Sequence, residues 1–271
     1  MMIEKFLEGK GVLITGGASG FGRGTAYAFA EKGADIIIVD IKEDLLYETA
    51  NKLAEKTEHK VIPMVCDVSK SDQVQAMAKK AYQELDNIYI LFNNAGISLG
   101  YRKDFTKIDE DLYDLTMNIN LKGSWLVAKE ISKKMKSQKF LPLSGKIINV
   151  SSIFGLFPNE KTFPYSLSKA GVITMTKMMA KTLAPKITVN CISPGFHQTG
   201  IYKDDLDTMM MVYKDGKVVT PLNRFGTVDD ICDIMLFLAS PASNFITGHN
   251  FTIDGGIAEI GVHSQYIQDN L

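Results

Sequence analysis

The sequence predicts a single-domain α/β protein: a doubly wound, parallel, seven-stranded sheet with helices on both faces. Three observations predict it. Short apolar runs alternate with helical patterns along the chain, the order that a sheet built from strand–helix–strand units produces. Residues 34–40, Ala-Asp-Ile-Ile-Ile-Val-Asp, show almost no polar alternation, as in a strand covered on both faces. No Ser/Gly/Pro-rich linker, charge block or internal repeat divides the chain, so residues 1–271 read as one domain.

The elements follow in order. Gly11–Thr15 is the first strand and ends in a glycine-rich turn. The helical pattern behind it puts Ala26, Phe29 and Ala30 on the core side. The second strand covers 34–40, followed by a helix over 43–56. The third strand covers 61–66, and Ser71 is a suitable N-cap for a helix running to about Asp86. The fourth strand covers 87–92. Residues 112–136 hold one long helix or two abutting ones. The fifth strand covers 146–150, and Pro185 marks the end of the helix Phe163–Leu183. A sixth strand over 187–192, a helix over 227–239 and a seventh strand over 249–253 complete the pattern. The segment 196–223 breaks the alternation. It is polar at first and then carries Met209, Met210 and Met211. A connection that long in a compact domain is usually functional or mobile, and it reads as a substrate lid.

Composition narrows the function. Apolar residues make up 45% of the chain, enough for a sizeable core, and the net charge is -1. No basic surface argues for nucleic acid. No run of about 20 apolar residues argues for a membrane span, and the N-terminus lacks a signal-peptide hydrophobic region. Cys66, Cys191 and Cys232 are far apart, odd in number and without metal-ligand spacing. They read as reduced core thiols of a cytoplasmic protein with no metal site.

The chemistry is carried by short motifs. Tyr165 and Lys169, four apart at the start of a helix, lie on one face of it. A phenol has a pKa of about 10, and a fixed ammonium one turn away favours the phenolate. Ser152, thirteen residues upstream and just past the fifth strand, could hydrogen-bond a substrate oxygen beside the tyrosine. Taken alone, the pair reads rather as an exposed Lys and a half-buried Tyr, and the rest of the chain shifts that reading. The loop from Thr15 to Gly22, with Gly16, Ser19, Gly20, Phe21 and Gly22, lies between a strand and a helix. Such glycines permit a tight turn and close approach to a pyrophosphate, and the helix start offers free N–H groups. Asp40, eighteen residues past Gly22 at the end of the second strand, can accept from both adenosine ribose hydroxyls and repels a 2′-phosphate. Neither Ser19 nor Ile41 is basic, which favours NAD; Lys42 is the one nearby cation and leaves NADP open. Asp67 follows the third strand, and Asn93-Asn94-Ala95-Gly96 follows the fourth. Each could be a plain turn, but all of them sit where open α/β sheets bind ligands.

In that order, these pieces resemble the short-chain dehydrogenase/reductases, with a Rossmann-like fold, over about residues 9–256. Asn120 in Asn-Ile-Asn-Leu-Lys-Gly, Pro194-Gly195 and Asp254-Gly255-Gly256 extend the likeness. The resemblance implies Tyr165 as acid/base and Lys169 as the residue that tunes it and holds the nicotinamide ribose. It implies Ser152 on the substrate oxygen, with the spacing preferring it to Ser151. It implies Asn120 as the helix-interrupting support of a proton-relay water. It also implies that Asp67 and Val68 meet the adenine and that Asn94, Ala95 and Gly96 line the cofactor. Pro194, Gly195, His197 and Thr199 would lie at the carboxamide. His197 departs from the aliphatic residue common in the family; a backbone role survives, while its side chain could touch substrate or be a solvated loop residue. The 136–144 connection and the tail from 257 are further departures.

The expected function is hydride transfer between NAD(H) and a small-molecule secondary alcohol or ketone, in a homotetramer. The stretch 215–226 is similar to relatives acting on polyols and sugar acids. Phe154, Phe157, Tyr202 and the three methionines suggest instead a hydroxysteroid or other bulky alcohol. A non-catalytic dinucleotide sensor and a sugar epimerase or dehydratase on the same fold are the rivals. The joint presence of Asn120, Ser152, Tyr165 and Lys169 argues against the sensor, and the short C-terminal part argues against the epimerase or dehydratase.

Overall fold

In a computed structural model of the chain, residues 5–99, 104–198 and 216–262 are described. Seven strands, β1 (Gly11–Thr15), β2 (Asp35–Asp40), β3 (Val61–Val65), β4 (Ile90–Asn93), β5 (Gly145–Val150), β6 (Ile187–Pro194) and β7 (Asn250–Ile253), form one sheet. Their order is β3-β2-β1-β4-β5-β6-β7, and every pairing is parallel. The chain starts in the middle, winds to one edge, then crosses back and winds to the other. The crossover lies between β1 and β4, where such sheets open a crevice beyond the strand ends.

Period-two alternation sorts the core into two layers. Val12, Ile14, Ile36 and Ile38 face α1 (Gly20–Glu31), α2 (Glu43–Ala54) and α7 (Val228–Ala239). Leu13, Ile37 and Val39 face the opposite layer of α3 (Ser71–Glu84), α5 (Ser124–Met135) and α6 (Phe163–Leu183). Ala26, Phe29 and Ala30 are buried, as expected from the helical pattern. The expected choice between one long helix and two abutting ones resolves as α4 (Glu110–Met117) and α5, joined by a π-helical turn, Asn118–Gly123.

Several boundaries differ from the sequence reading, each for a local reason. Ser71 is not the N-cap of α3: Lys70 holds that position without a side-chain cap, and the Ser71 hydroxyl accepts from Gln75 Nε2 instead. β4 begins at Ile90 rather than Asn87, because the Asn87 side chain is used elsewhere. Its Oδ1 accepts from the Gly11 N–H and its Nδ2 donates to the Gly9 carbonyl. β6 runs on to Pro194, two residues beyond expectation, because β7 pairs with its last four residues. The 136–144 connection closes on Gln138, which hydrogen-bonds the N–H and the carbonyl of Ile88.

One buried charge belongs to the frame rather than to the site. Lys146 on β5 is 1% exposed, and its ammonium donates to the Ser240 carbonyl and the Ser243 hydroxyl at the end of α7. Burial lowers its pKa from the usual 10.5 to about 8. A lysine whose folded pKa is depressed binds fewer protons than in the unfolded chain between those values, so stability rises with pH there. Lys146→Met should therefore reduce the gain in unfolding free energy measured by urea denaturation between pH 8 and 10.5, by up to about 3 kcal/mol. An unchanged gain would mean that the ammonium is solvated.

Candidate active site

The C-terminal ends of β1, β4, β5 and β6 open onto one cavity. Phe21, Asn94, Gly96, Ser152, Tyr165, Lys169, Pro194, Gly195 and His197, all singled out in the sequence, line it. Asn120 lies behind the lining and is fully buried in the π-helical turn. Gly16, Ser19, Gly20, Gly22 and Ala95 build the adjoining rim. Thr199 and the lid residues Tyr202, Met209, Met210 and Met211 lie outside the described residues.

The glycine-rich rim is fixed by hydrogen bonds from β4. The Thr15 hydroxyl accepts from the N–H groups of Asn94 and Ala95, and Asn94 Nδ2 donates to the carbonyls of Thr15 and Gly16. Gly16 has φ +65, and a Cβ there would lie 2.8 Å from Asn94 Nδ2. Only glycine meets both conditions. Ser19 opens α1 without a side-chain cap, and no acidic residue occupies the first turn. The positive end of the helix is thus left to an external anion, the condition a diphosphate requires. Asp40 is turned over this loop: one carboxylate oxygen accepts from the Ala18 N–H, the other from the Lys42 N–H. Each oxygen keeps acceptor capacity for a hydroxyl. Ile41 beside it is 61% exposed, so its apolar side chain faces outward. Asp67 is tied locally, accepting from the N–H and hydroxyl of Ser69, which is the turn geometry its position allowed. Val68 is buried against Gly123. These residues fit a nicotinamide dinucleotide.

The polar end of the cavity is deeply set. Tyr165 and Lys169 are 7% and 3% exposed. The Lys169 ammonium donates to the Val150 carbonyl at 2.9 Å and lies 5.6 Å from the centre of the Tyr165 ring. Burial lowers its pKa to about 8. Burial also pushes the Tyr165 phenol up, and the Ser152 hydroxyl bonded to it opposes the rise. Loss of hydration on burial disfavours the phenolate and works against the neighbouring groups that favour it. Ser152 also accepts from the Phe154 N–H, which fixes its hydroxyl at the start of the turn after β5. A Cβ on Gly96 would come within 3.2 Å of Asn120 Oδ1 and 3.3 Å of Lys169 Nζ, so this glycine lets the two groups converge.

His197 is neither an aliphatic stand-in nor a solvated loop residue. Its Nδ1 bonds the Gly195 carbonyl at 3.1 Å, and its ring stands edge-on to Phe21, centroids 5.3 Å apart. The ring also packs on Gly226, where a Cβ would reach within 2.2 Å of Nε2. Burial lowers its pKa and keeps it neutral. The backbone forms a parallel bridge with Gly226 that uses the Phe196 carbonyl and the Gln198 N–H. That geometry turns the N–H and carbonyl of His197 itself to the opposite edge.

The apolar wall was only partly anticipated. Phe154 lines the cavity as expected, edge-on to Phe196 at 6.1 Å, but Phe157 is 36% exposed and stands outside the lining. Ile153, Phe154, Tyr165 and Ile257 form a small separate core that Phe196 and Val219 complete. Ile153 and Phe196 flank Ser152 and Gly195 in sequence, a signal that was available. Val219 and Ile257 come from distant segments and had none.

Comparisons with known proteins agree with this geometry. The profile of the family described as enoyl-(acyl carrier protein) reductase matches residues 16–258. The chain is 38% identical over 252 residues to a 3-oxoacyl-(acyl-carrier-protein) reductase of Thermotoga maritima, covering 93% of this chain and 98% of that protein. It is 35% identical to an NAD-dependent glycerol dehydrogenase of Listeria innocua, covering 91% and 93%. A crystal structure of a short-chain type dehydrogenase/reductase from Mycobacterium marinum superposes with a TM-score of 0.84 at 33% identity, covering 93% and 96%. With the parallel seven-stranded sheet and the motifs along its C-terminal edge, this shows that the chain belongs to the short-chain dehydrogenase/reductase family and is an oxidoreductase of that type.

Proposed function

We propose that the protein is an NAD(H)-dependent oxidoreductase that interconverts a secondary alcohol and its ketone. The observation that carries the reading is the convergence of Ser152, Tyr165 and Lys169 in one cavity that adjoins the glycine-rich rim and Asp40. Bound NAD(H) accepts or supplies the hydride. The protein's own side chains handle the proton and the geometry. Ser152 donates to the substrate oxygen and orients it. Tyr165 gives its proton to a ketone oxygen in reduction and, as the phenolate that the Lys169 ammonium beside it favours, takes one from the hydroxyl in oxidation. Lys169 holds the ribose hydroxyls, and the backbone of His197 the carboxamide, so that hydride donor and acceptor stay in line. Asn120 supports the proton path from behind.

Asp40 supports NAD over NADP, since its carboxylate already leans on the loop and a 2′-phosphate there would meet like charge. On the substrate, the cluster of Ile153, Phe154, Phe196, Val219 and Ile257 supports an apolar flank beside the reacting carbon, as in a bulky alcohol or a 3-oxoacyl chain. The polyol and sugar-acid reading rests on the 215–226 stretch and the glycerol dehydrogenase relative. Residues 196–223 act as a lid, its last turn seated where Gly216 packs between Phe196 and Phe225. The assembly is a homotetramer in which a two-fold mate covers the edge strand β7. The buried, unpaired cysteines suit the cytoplasm. Among the described residues no helix is long and apolar enough to cross a membrane.

Tyr165→Phe keeps the ring and removes the proton carrier. Nicotinamide absorbance with a panel of alcohols and ketones should show turnover reduced by at least about 100-fold, with cofactor affinity retained. Wild-type activity in that variant would end the mechanism. Asp40→Ala should narrow the NAD preference, chiefly by weakening NAD, with titration calorimetry showing a loss of about tenfold. Equal affinity of the native protein for NAD and NADP would show that Lys42 offsets Asp40.

A further inference from the structure

Between Tyr165 and Lys169 the chain buries a third polar residue. Ser168 has no exposed surface. Its hydroxyl donates to the Tyr165 carbonyl at 2.7 Å and accepts from Asn120 Nδ2 at 3.1 Å. A helical serine that bonds back one turn is ordinary. Here the same oxygen also receives a residue 48 positions earlier in the chain.

Both hydrogens of the Asn120 amide are taken by these partners. Nδ2 donates to the Ile97 carbonyl at 3.0 Å as well as to Ser168, and Oδ1 accepts from the Ile97 N–H at 2.8 Å. Both amide hydrogens are used, so the side chain has no donor left for a substrate. What it does is mechanical. It joins the loop after β4, at Ile97, to α6, and the joint on the α6 side is Ser168. Asn120 Oδ1 and Lys169 Nζ crowd the same face of Gly96, so a small rotation of α6 presses the ammonium on that backbone or draws it away.

We propose that Ser168 is a positioning residue: its hydroxyl fixes the rotation of α6 against the π-helical turn, and with it the Tyr165 phenol and the Lys169 ammonium. The proposal rests on the reading of Tyr165 as the acid–base group. Without the hydroxyl one Asn120 N–H is buried without an acceptor, and the tyrosine carbonyl loses the contact that ties it to the turn. Alanine is smaller and a better helix former than serine, so the helix itself persists.

The test uses the full chain as wild type, Ser168→Ala, Ser168→Cys, Asn120→Ala and the Asn120→Ala/Ser168→Ala double variant. Isotope-labelled tyrosine NMR on the free protein, with the Tyr165 signal assigned through Tyr165→Phe, reads the phenol directly. Steady-state kinetics and cofactor titration read the consequence. Ser168→Ala should move the Tyr165 signal, lower kcat by about tenfold or more and weaken cofactor affinity, because Lys169 moves with Tyr165, leaving the substrate KM within about twofold. The cysteine variant, with its weak donor, should fall between, and decides the question if the alanine variant does not fold. The double variant should lose no more than Asn120→Ala alone, because the hydroxyl acts through the asparagine. A Tyr165 signal that stays in place, wild-type kcat in the serine variants, or losses that multiply in the double variant would each overturn the proposal. A wild type inactive on every alcohol and ketone would instead remove the proposed function. The Tyr165 signal would still decide the positioning role, moved in its favour and unmoved against it.

Discussion

The ammonium of Lys169 is 3% exposed and donates to the Val150 carbonyl, and much of the site is arranged around that single buried charge. A charge taken out of water is costly unless paired and hydrogen-bonded, and burial accordingly lowers the Lys169 pKa to about 8. Gly96 makes room for the ammonium, β5 ends where it finds an acceptor, and α6 carries it one turn from Tyr165. The fold tolerates this because each layer of the sheet is packed separately, with two large apolar clusters that do not depend on the site. A buried cation is a poor stabiliser of the fold and a good partner for ribose hydroxyls and for a developing phenolate.

Much of the architecture could be read before any coordinates. Unbroken apolar runs gave the buried strands, and the alternation of strand and helix gave the winding. Motifs placed after strands converged on one edge because a parallel sheet brings every strand C-terminus to the same side. The loop glycines at 16 and 22, the tyrosine–lysine pair and Asp40 were legible because each answers a local steric or electrostatic demand. The ends of elements were less so. Asn87 reads as strand by composition, but its amide is spent on the backbone of Gly9 and Gly11, a choice that only tertiary contact reveals.

The burial of Tyr165 and Lys169 was less legible. Spacing showed a cation one turn away; it did not show that both groups lose most of their contact with water. His197 posed the same problem. One residue in a loop offers no pattern, and its place between Phe21, Gly195 and Gly226 depends on three segments far apart in sequence. The apolar cluster beside the cavity likewise gathers Phe154, Phe196, Val219 and Ile257 from four segments, and no period in the sequence links them.

The account's central claim is that hydride passes directly between a carbinol carbon and the nicotinamide in this cavity. The most direct measurement is mass spectrometry of the cofactor after turnover of NAD with a secondary alcohol carrying deuterium on that carbon. The account predicts that the reduced cofactor holds the deuterium and that the ketone product holds none at the reacting carbon. Turnover in which the label passes to water, or reduced cofactor formed without label, would contradict it.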